Sequence, residues 1–197
     1  MLAFKMFMFY NLRRIGAVLI MDWLEIREFL IDSFKVIITV AAIFFVMFYV
    51  FSITMVVGNS MNPTLENGEV LILDKIKYRF SDIKRGDIVS IQHGDSKFYI
   101  KRIIGLPGEN IKIRNNILYI NNVGYEEPYL AEGLVYDGFE LSTLGYQTIP
   151  DGMYFVLGDN RIDSADSRSK SFGLISKDEI VGKIDLRIWP LNKFKLF

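Results

Sequence analysis

The chain has 197 residues, with 23 basic and 23 acidic side chains, one histidine and no cysteine, and 51 % of it is hydrophobic. The length allows one modest domain plus extra segments. The even charge balance, without a basic block, gives no ground for a nucleic-acid partner, and the missing thiols exclude disulfides, thiolate metal sites and a cysteine nucleophile.

Residues 1–35 form an N-terminal segment. Met1 to Ile20 is apolar but interrupted by Lys5, Arg13 and Arg14, which argues against a second span, and Met21 offers an alternative start. From Asp22 to Lys35, Trp23, Ile26, Leu30 and Phe34 recur near helical spacing, so an interfacial helix is predicted there. Residues 36–57, Val36 to Val57, carry no charge. At about 1.5 Å per residue this run reaches roughly the 30 Å of a bilayer core, and a transmembrane helix is predicted. A cleaved leader would have a shorter apolar region and a small-residue pair before Gly58, which is missing. Lys5, Arg13, Arg14, Arg27 and Lys35 all precede the run, which predicts a cytoplasmic N-terminus and a C-terminal part on the far side of a cell membrane.

Residues 58–197 change texture. Short alternating apolar segments read as strands: Glu69–Leu73, Asp87–Ile91, Phe98–Ile104, Ile111–Ile113, Ile117–Ile120, Met153–Leu157 and Ile180–Ile188. Asn67-Gly68, Arg85-Gly86-Asp87, Pro107-Gly108, Asn115-Asn116 and Pro150-Asp151-Gly152 separate them as turns. The fold class is therefore mainly β, an antiparallel domain behind a single N-terminal helix, with residues 121–149 an irregular excursion. Gln92-His93-Gly94-Asp95 reads as a hairpin turn, and His93 receives no role.

Three places carry chemistry. Ser60 follows Gly58-Asn59 where the apolar run ends. Lys101 ends the strand-like Tyr99-Ile100-Lys101. Gly158 to Arg168 is a polar run with three aspartates and two serines. Taken singly these are a turn residue, an edge charge and a surface loop. A Ser–His–Asp site would have to use His93, so a hydroxyl nucleophile with an amine base is the arrangement the composition leaves most open.

Together the motifs Ser60-Met61-x-Pro63-Thr64-Leu65, Gly86-Asp87-Ile88-Val89, Tyr99-Ile100-Lys101-Arg102-x-x-Gly105-Leu106-Pro107-Gly108-Glu109 and Gly158-Asp159-Asn160-Arg161-x-x-Ser164-x-Asp166-Ser167-Arg168 resemble type I signal peptidases, the membrane-anchored serine proteases of family S26. The resemblance runs from Val36 to about Pro190. It implies a Ser60 nucleophile and a Lys101 general base, with Ser164 orienting the amine. It further implies that Asp159 pairs with Arg102, and Asp166 with Arg168, as supports. The Ser60 N–H would donate in the oxyanion hole. Gly58 occupies the position where some members add a serine hydroxyl, so Gly58→Ser is expected to be tolerated. Val56, Met61, Leu65, Tyr99 and Ile100 would line shallow pockets for small residues before the cut. The implied partners are signal-peptide-bearing pre-proteins and the lipid bilayer, with no cofactor and no metal.

Two other readings stay open at this point. Soluble self-cleaving repressors share the Ser/Lys logic but lack a span, and a membrane-anchored β module would bind partners without catalysis.

Overall fold

The computed structural model describes residues 2–94, 97–131, 136 and 138–197. The chain divides into two compact units after Phe48. The first lies within a single helix, α1 (Leu2–Val50). Nothing from Asp22 to Val50 breaks a helix, since the stretch holds neither Pro nor Gly, and α1 runs through residue 35 without interruption. Asp22–Val50 is long and apolar enough to cross a membrane.

The helix stops short of the predicted Val57. Phe51–Met55 forms strand β1 instead, directly after Val50. An uncharged apolar run fits a spanning helix and a buried strand alike. Here aromatic and β-branched Phe51, Ile53 and Thr54 favour the strand, and β2 (Val70–Asp74) pairs with it from Phe51↔Asp74 to Met55↔Val70. The Val50 carbonyl accepts from the Lys75 N–H at 2.9 Å.

The remaining elements are α2 (Lys77–Phe80), β3 (Ile88–His93), β4 (Lys97–Gly105), β5 (Ile111–Arg114), β6 (Ile117–Ile120), β7 (Val123–Tyr125), β8 (Phe139–Glu140), β9 (Met153–Leu157), β10 (Ile175–Ser176), β11 (Ile180–Trp189) and β12 (Lys195–Leu196). The fold is mainly antiparallel β, as the turn and strand signals indicate. One sheet has the order β1-β2-β11-β3-β4-β9-β10, with β12 beside β11, and a smaller one has the order β7-β6-β5-β8. The predicted irregular excursion begins in regular structure. Asn115-Asn116 and Asn121-Asn122 all adopt positive φ, the backbone that two-residue hairpin turns require, and they join β5, β6 and β7 into a meander. Residues 132–135 and 137 of the excursion lie outside the described residues. The expected turn around His93 lies partly outside them too; His93 itself ends β3, and its Nδ1 stands 2.6 Å from Glu179 Oε1.

Three apolar clusters fill the second unit. One joins the small sheet to the ends of β4 and β9 through Ile104, Ile113, Phe139 and Phe155. A second packs Val89, Ile91 and Ile103 against Phe172. The third lies behind the Ser60 loop and contains Val56, Met61, Leu65, Leu71 and Ile184. Among the described residues of this unit, the opposite face of β1, β2 and β11 is apolar and open. Register aligns Met55, Val70 and Trp189 across it, and Ile53, Ile72 and Leu186 beside them; Ile53, Met55 and Trp189 are more than half exposed.

Candidate active site

Lys101 lies on β4, between Val89 of β3 and the β9 strand, and is 1 % exposed. Its Nζ donates to Ser164 Oγ at 2.9 Å. Burial among apolar strands pushes its pKa down to about 8, because an ammonium loses water there. The carboxylates of Asp166, Asp159 and Asp163 oppose that shift, and the Arg168 charge adds to it. With a pKa of 8 about a tenth of the amine is neutral at pH 7, against well under a thousandth for an ordinary lysine.

Ser60 follows β1 in a folded loop. The Val56 N–H donates to Glu69 O and the Gly68 N–H to Val56 O, each at 2.9 Å, closing the base of the loop. Ser60 O accepts from the Asn160 N–H at 3.0 Å, and Asn160 Nδ2 donates to Asn59 O at 3.1 Å. These bonds tie the Ser60 segment to the polar loop that follows β9. Gly158 sits at the centre of the contact: a Cβ on it would lie 2.3 Å from Ser60 O and 2.3 Å from Ser164 Oγ. The Ser60 backbone and Ser164, which accepts the Lys101 hydrogen bond, thus meet at one glycine. Among the described residues no hydrogen bond joins Ser60 Oγ to Lys101 Nζ; such contacts often close only when substrate fills a site.

The supporting pairs that the motifs imply are in contact. Arg102 Nε and Nη2 donate to Asp159 Oδ1 and Oδ2 at 2.8 and 2.5 Å, and Nη1 to Gly86 O at 2.9 Å. Arg102 and Lys101 follow each other on one strand and so face opposite sides of the sheet. Arg168 grips Asp166 with two bonds, at 2.8 and 2.9 Å, while Asp166 Oδ2 accepts the Gly158 N–H at 3.1 Å.

Gly58 departs from expectation. Its φ is +90°, a region that side chains rarely adopt, and its N–H donates to Asn67 Oδ1 at 2.9 Å, so that donor is already engaged. Among the described residues no hydrogen bond uses the Ser60 N–H. The tolerance expected of Gly58→Ser is therefore corrected on backbone grounds, although the space beside Gly58 is open. Gly58→Ser should cost about 1–3 kcal/mol of stability and slow any reaction that Ser60 performs; an unchanged melting temperature and rate would show that the loop relaxes freely.

A cleft of about 160 Å³ runs beside Ser60, between β1 and β4. Val56, Met61, Tyr99 and Ile100 line it. Leu65 does not: it is fully buried in the cluster behind the loop and supports the cleft from below. Ser90, which pairs with Ile100 on β3, adds a hydroxyl to the lining. Sequence reasoning missed Ser90 because nothing sets a lone serine in a strand apart. It also gave Asn160 no role, although Asn160 lies within the polar motif. A partly neutral amine, a hydroxyl held beside it and an apolar cleft together suit acyl transfer from an extended peptide.

Comparison with known proteins points the same way. A family model described as signal peptidase, peptidase S26, matches residues 28–189. The signal peptidase I of Bacillus caldolyticus is 43 % identical over 154 residues, covering 74 % of this chain and 84 % of that protein. The signal peptidase IB of Staphylococcus aureus (strain Mu50 / ATCC 700699) is 38 % identical over 175 residues, covering 81 % and 91 %. The crystal structure of a signal peptidase I from Enterococcus faecalis V583 matches 53 % of this chain and 97 % of that chain, with 36 % identity and a TM-score of 0.47.

Proposed function

The chain belongs to the signal peptidase family, peptidase S26, and from that we propose that it is a membrane-anchored serine endopeptidase that removes N-terminal signal peptides from secreted pre-proteins, cleaving after small residues of the Ala-x-Ala type. The observation that carries the reading is the buried Lys101 amine, 2.9 Å from Ser164 Oγ and beside the Ser60 segment.

In this mechanism neutral Lys101 takes the proton of Ser60 Oγ as that oxygen attacks the scissile carbonyl. The Ser60 N–H donates to the oxyanion that forms. Lys101 then gives its proton to the leaving amine, the C–N bond breaks, and the signal peptide stays as an ester on Ser60. Water, deprotonated by Lys101, releases it and restores the hydroxyl. Ser164 holds the amine toward the reacting atoms, and Arg102, Asp159, Asp166 and Arg168 hold the surrounding backbone. The substrate lies extended in the cleft between β1 and β4, where the small volume beside Val56, Met61 and Ile100 favours alanine.

Asp22–Val50 supplies the anchor. Lys5, Arg13, Arg14, Arg27 and Lys35, toward its N-terminal end, support a cytoplasmic N-terminus and a catalytic domain on the extracytoplasmic side of the cell membrane. The uncovered apolar face carrying Ile53, Met55 and Trp189 fits contact with lipid. The test is cleavage of a labelled pre-protein by the full chain in detergent. Ser60→Ala and Lys101→Ala should each lower the rate by at least ~1000-fold while remaining folded; full activity in either variant rejects the assignment.

A further inference from the structure

The loop after β9 turns on Gly158, whose backbone is gripped at both ends. Asp166 takes its N–H. Arg161 Nε donates to its carbonyl at 2.9 Å. Arg161 is 2 % exposed, and its other two nitrogens both go to Glu127, Nη1 to Oε2 at 2.9 Å and Nη2 to Oε1 at 2.5 Å. Tyr129 Oη donates to Glu127 Oε1 at 2.7 Å, and Tyr136 Oη donates to Oε2. One carboxylate from the excursion therefore receives four donors. Burial pushes its carboxyl up, but the Arg161 fork and the two phenols outweigh that and hold it below the usual range, so it stays ionised. The same stretch reaches the other side of the site, where the Tyr129 ring lies 4.0 Å from the Arg102 guanidinium.

We propose, resting on the function proposed above, that Glu127 is a positioning residue: through Arg161 it fixes the Gly158 carbonyl, and with it the loop that sets Ser164 against Lys101. Gly158 has no slack, because Ser60 O and Ser164 Oγ both fill the space where a Cβ would stand. A shift of its carbonyl is passed to both. Misplacement by about 1 Å costs on the order of a hundredfold in rate.

Two single variants separate the contacts. Arg161→Lys keeps a cation beside Glu127 but cannot bind the carboxylate in a fork and the Gly158 carbonyl together. Glu127→Gln keeps the shape and removes the charge. Measured on the full chain with a signal-peptide substrate, each should lower kcat by roughly 10- to 100-fold with KM little changed. The ionisation governing kcat/KM should also move upward, because a loosened Ser164 loop admits water to Lys101, and Asp166, Asp159 and Asp163 then hold the added proton. Wild-type kcat and pH profile in both variants overturn the proposal, as does a loss that only follows the folded fraction.

Removing one member of a buried pair can itself unfold a protein. Glu127→Met combined with Arg161→Met removes both charges, and should stay folded yet slow because the Gly158 carbonyl still lacks its donor; a wild-type rate here also overturns the proposal. Ser60→Ala separates the two readings. Activity in that variant defeats the peptidase assignment, whereas an inactive Ser60→Ala beside fully active Glu127 and Arg161 variants defeats only the positioning role.

Discussion

Gly158→Ala should reduce signal-peptide cleavage at least ~100-fold. The added methyl would lie 2.3 Å from the Ser60 carbonyl oxygen and 2.3 Å from Ser164 Oγ, with Ser164 Cβ at 2.7 Å. The serine side chain can rotate away, but the Ser60 carbonyl is backbone and is held by the Asn160 N–H. Relief therefore comes from moving the nucleophile segment, the loop after β9, or both. Overpacking of this kind costs about 1–3 kcal/mol, a drop of several degrees in Tm for a chain of this size. Gly158 is not among the glycines with positive φ, so the substitution tests crowding alone. Wild-type kcat/KM in Gly158→Ala would mean that the three groups are not held as closely as described.

The second large effect is that of pH, which raises both the rate and the stability contributed by Lys101. Lys101 titrates at about 8 in the folded chain, chiefly because it is buried, and near 10.5 when unfolded. Only the neutral form can accept the Ser60 proton. The value of kcat/KM should rise about tenfold from pH 7 to a plateau above pH 9, along one ionisation near 8. A flat profile across this range would remove Lys101 from the role of base.

For stability, the folded pKa is depressed, so the unfolded chain binds more protons between pH 8 and 10.5. Stability contributed by this group therefore rises with pH across that window. Below pH 8 the buried amine costs roughly 3 kcal/mol in full. Lys101→Met removes that cost along with the base. The variant should be inactive at every pH and should melt above the wild type at pH 7, with the difference shrinking as pH rises from 8 to 10.5. A Lys101→Met chain that melts lower at neutral pH would show that the amine is stabilised there by partners stronger than Ser164.

Much of the β domain can be read from the sequence because its strands alternate and its turns use Gly, Pro and Asn. Met153–Leu157 and Ile117–Ile120 are bounded by such turns on both sides, and the observed strands have the expected limits. The end of α1 is not readable in that way. Hydropathy does not change between Val50 and Phe51, and only pairing with β2, whose partners lie 15 to 23 positions further on, decides where the helix gives way. In the site, residues within one motif are easy to group, and Ser164 and Lys101, or Asp159 and Arg102, do meet. Glu127 is different. It sits in a stretch without periodicity, 34 positions before Arg161, and only the folded backbone brings the two side chains together. The positive φ of Gly58 was equally hidden, since a glycine's φ leaves no mark on its neighbours.

The direct passage from α1 into β1 has one more consequence. Val50 ends α1 and the next residue, Phe51, begins β1, which pairs with β2 along its whole length. Even fully drawn out, the chain from Val50 to Ser60 could span no more than roughly 35 Å. Where Asp22–Val50 is held in lipid, as proposed, that length bounds how far the alcohol can stand from the surface. Precursors would then be sorted by how far their scissile bond stands from the hydrocarbon edge as well as by the residues flanking it. Inserting a few residues into the stretch before that bond should release a precursor from processing while its alanines remain untouched.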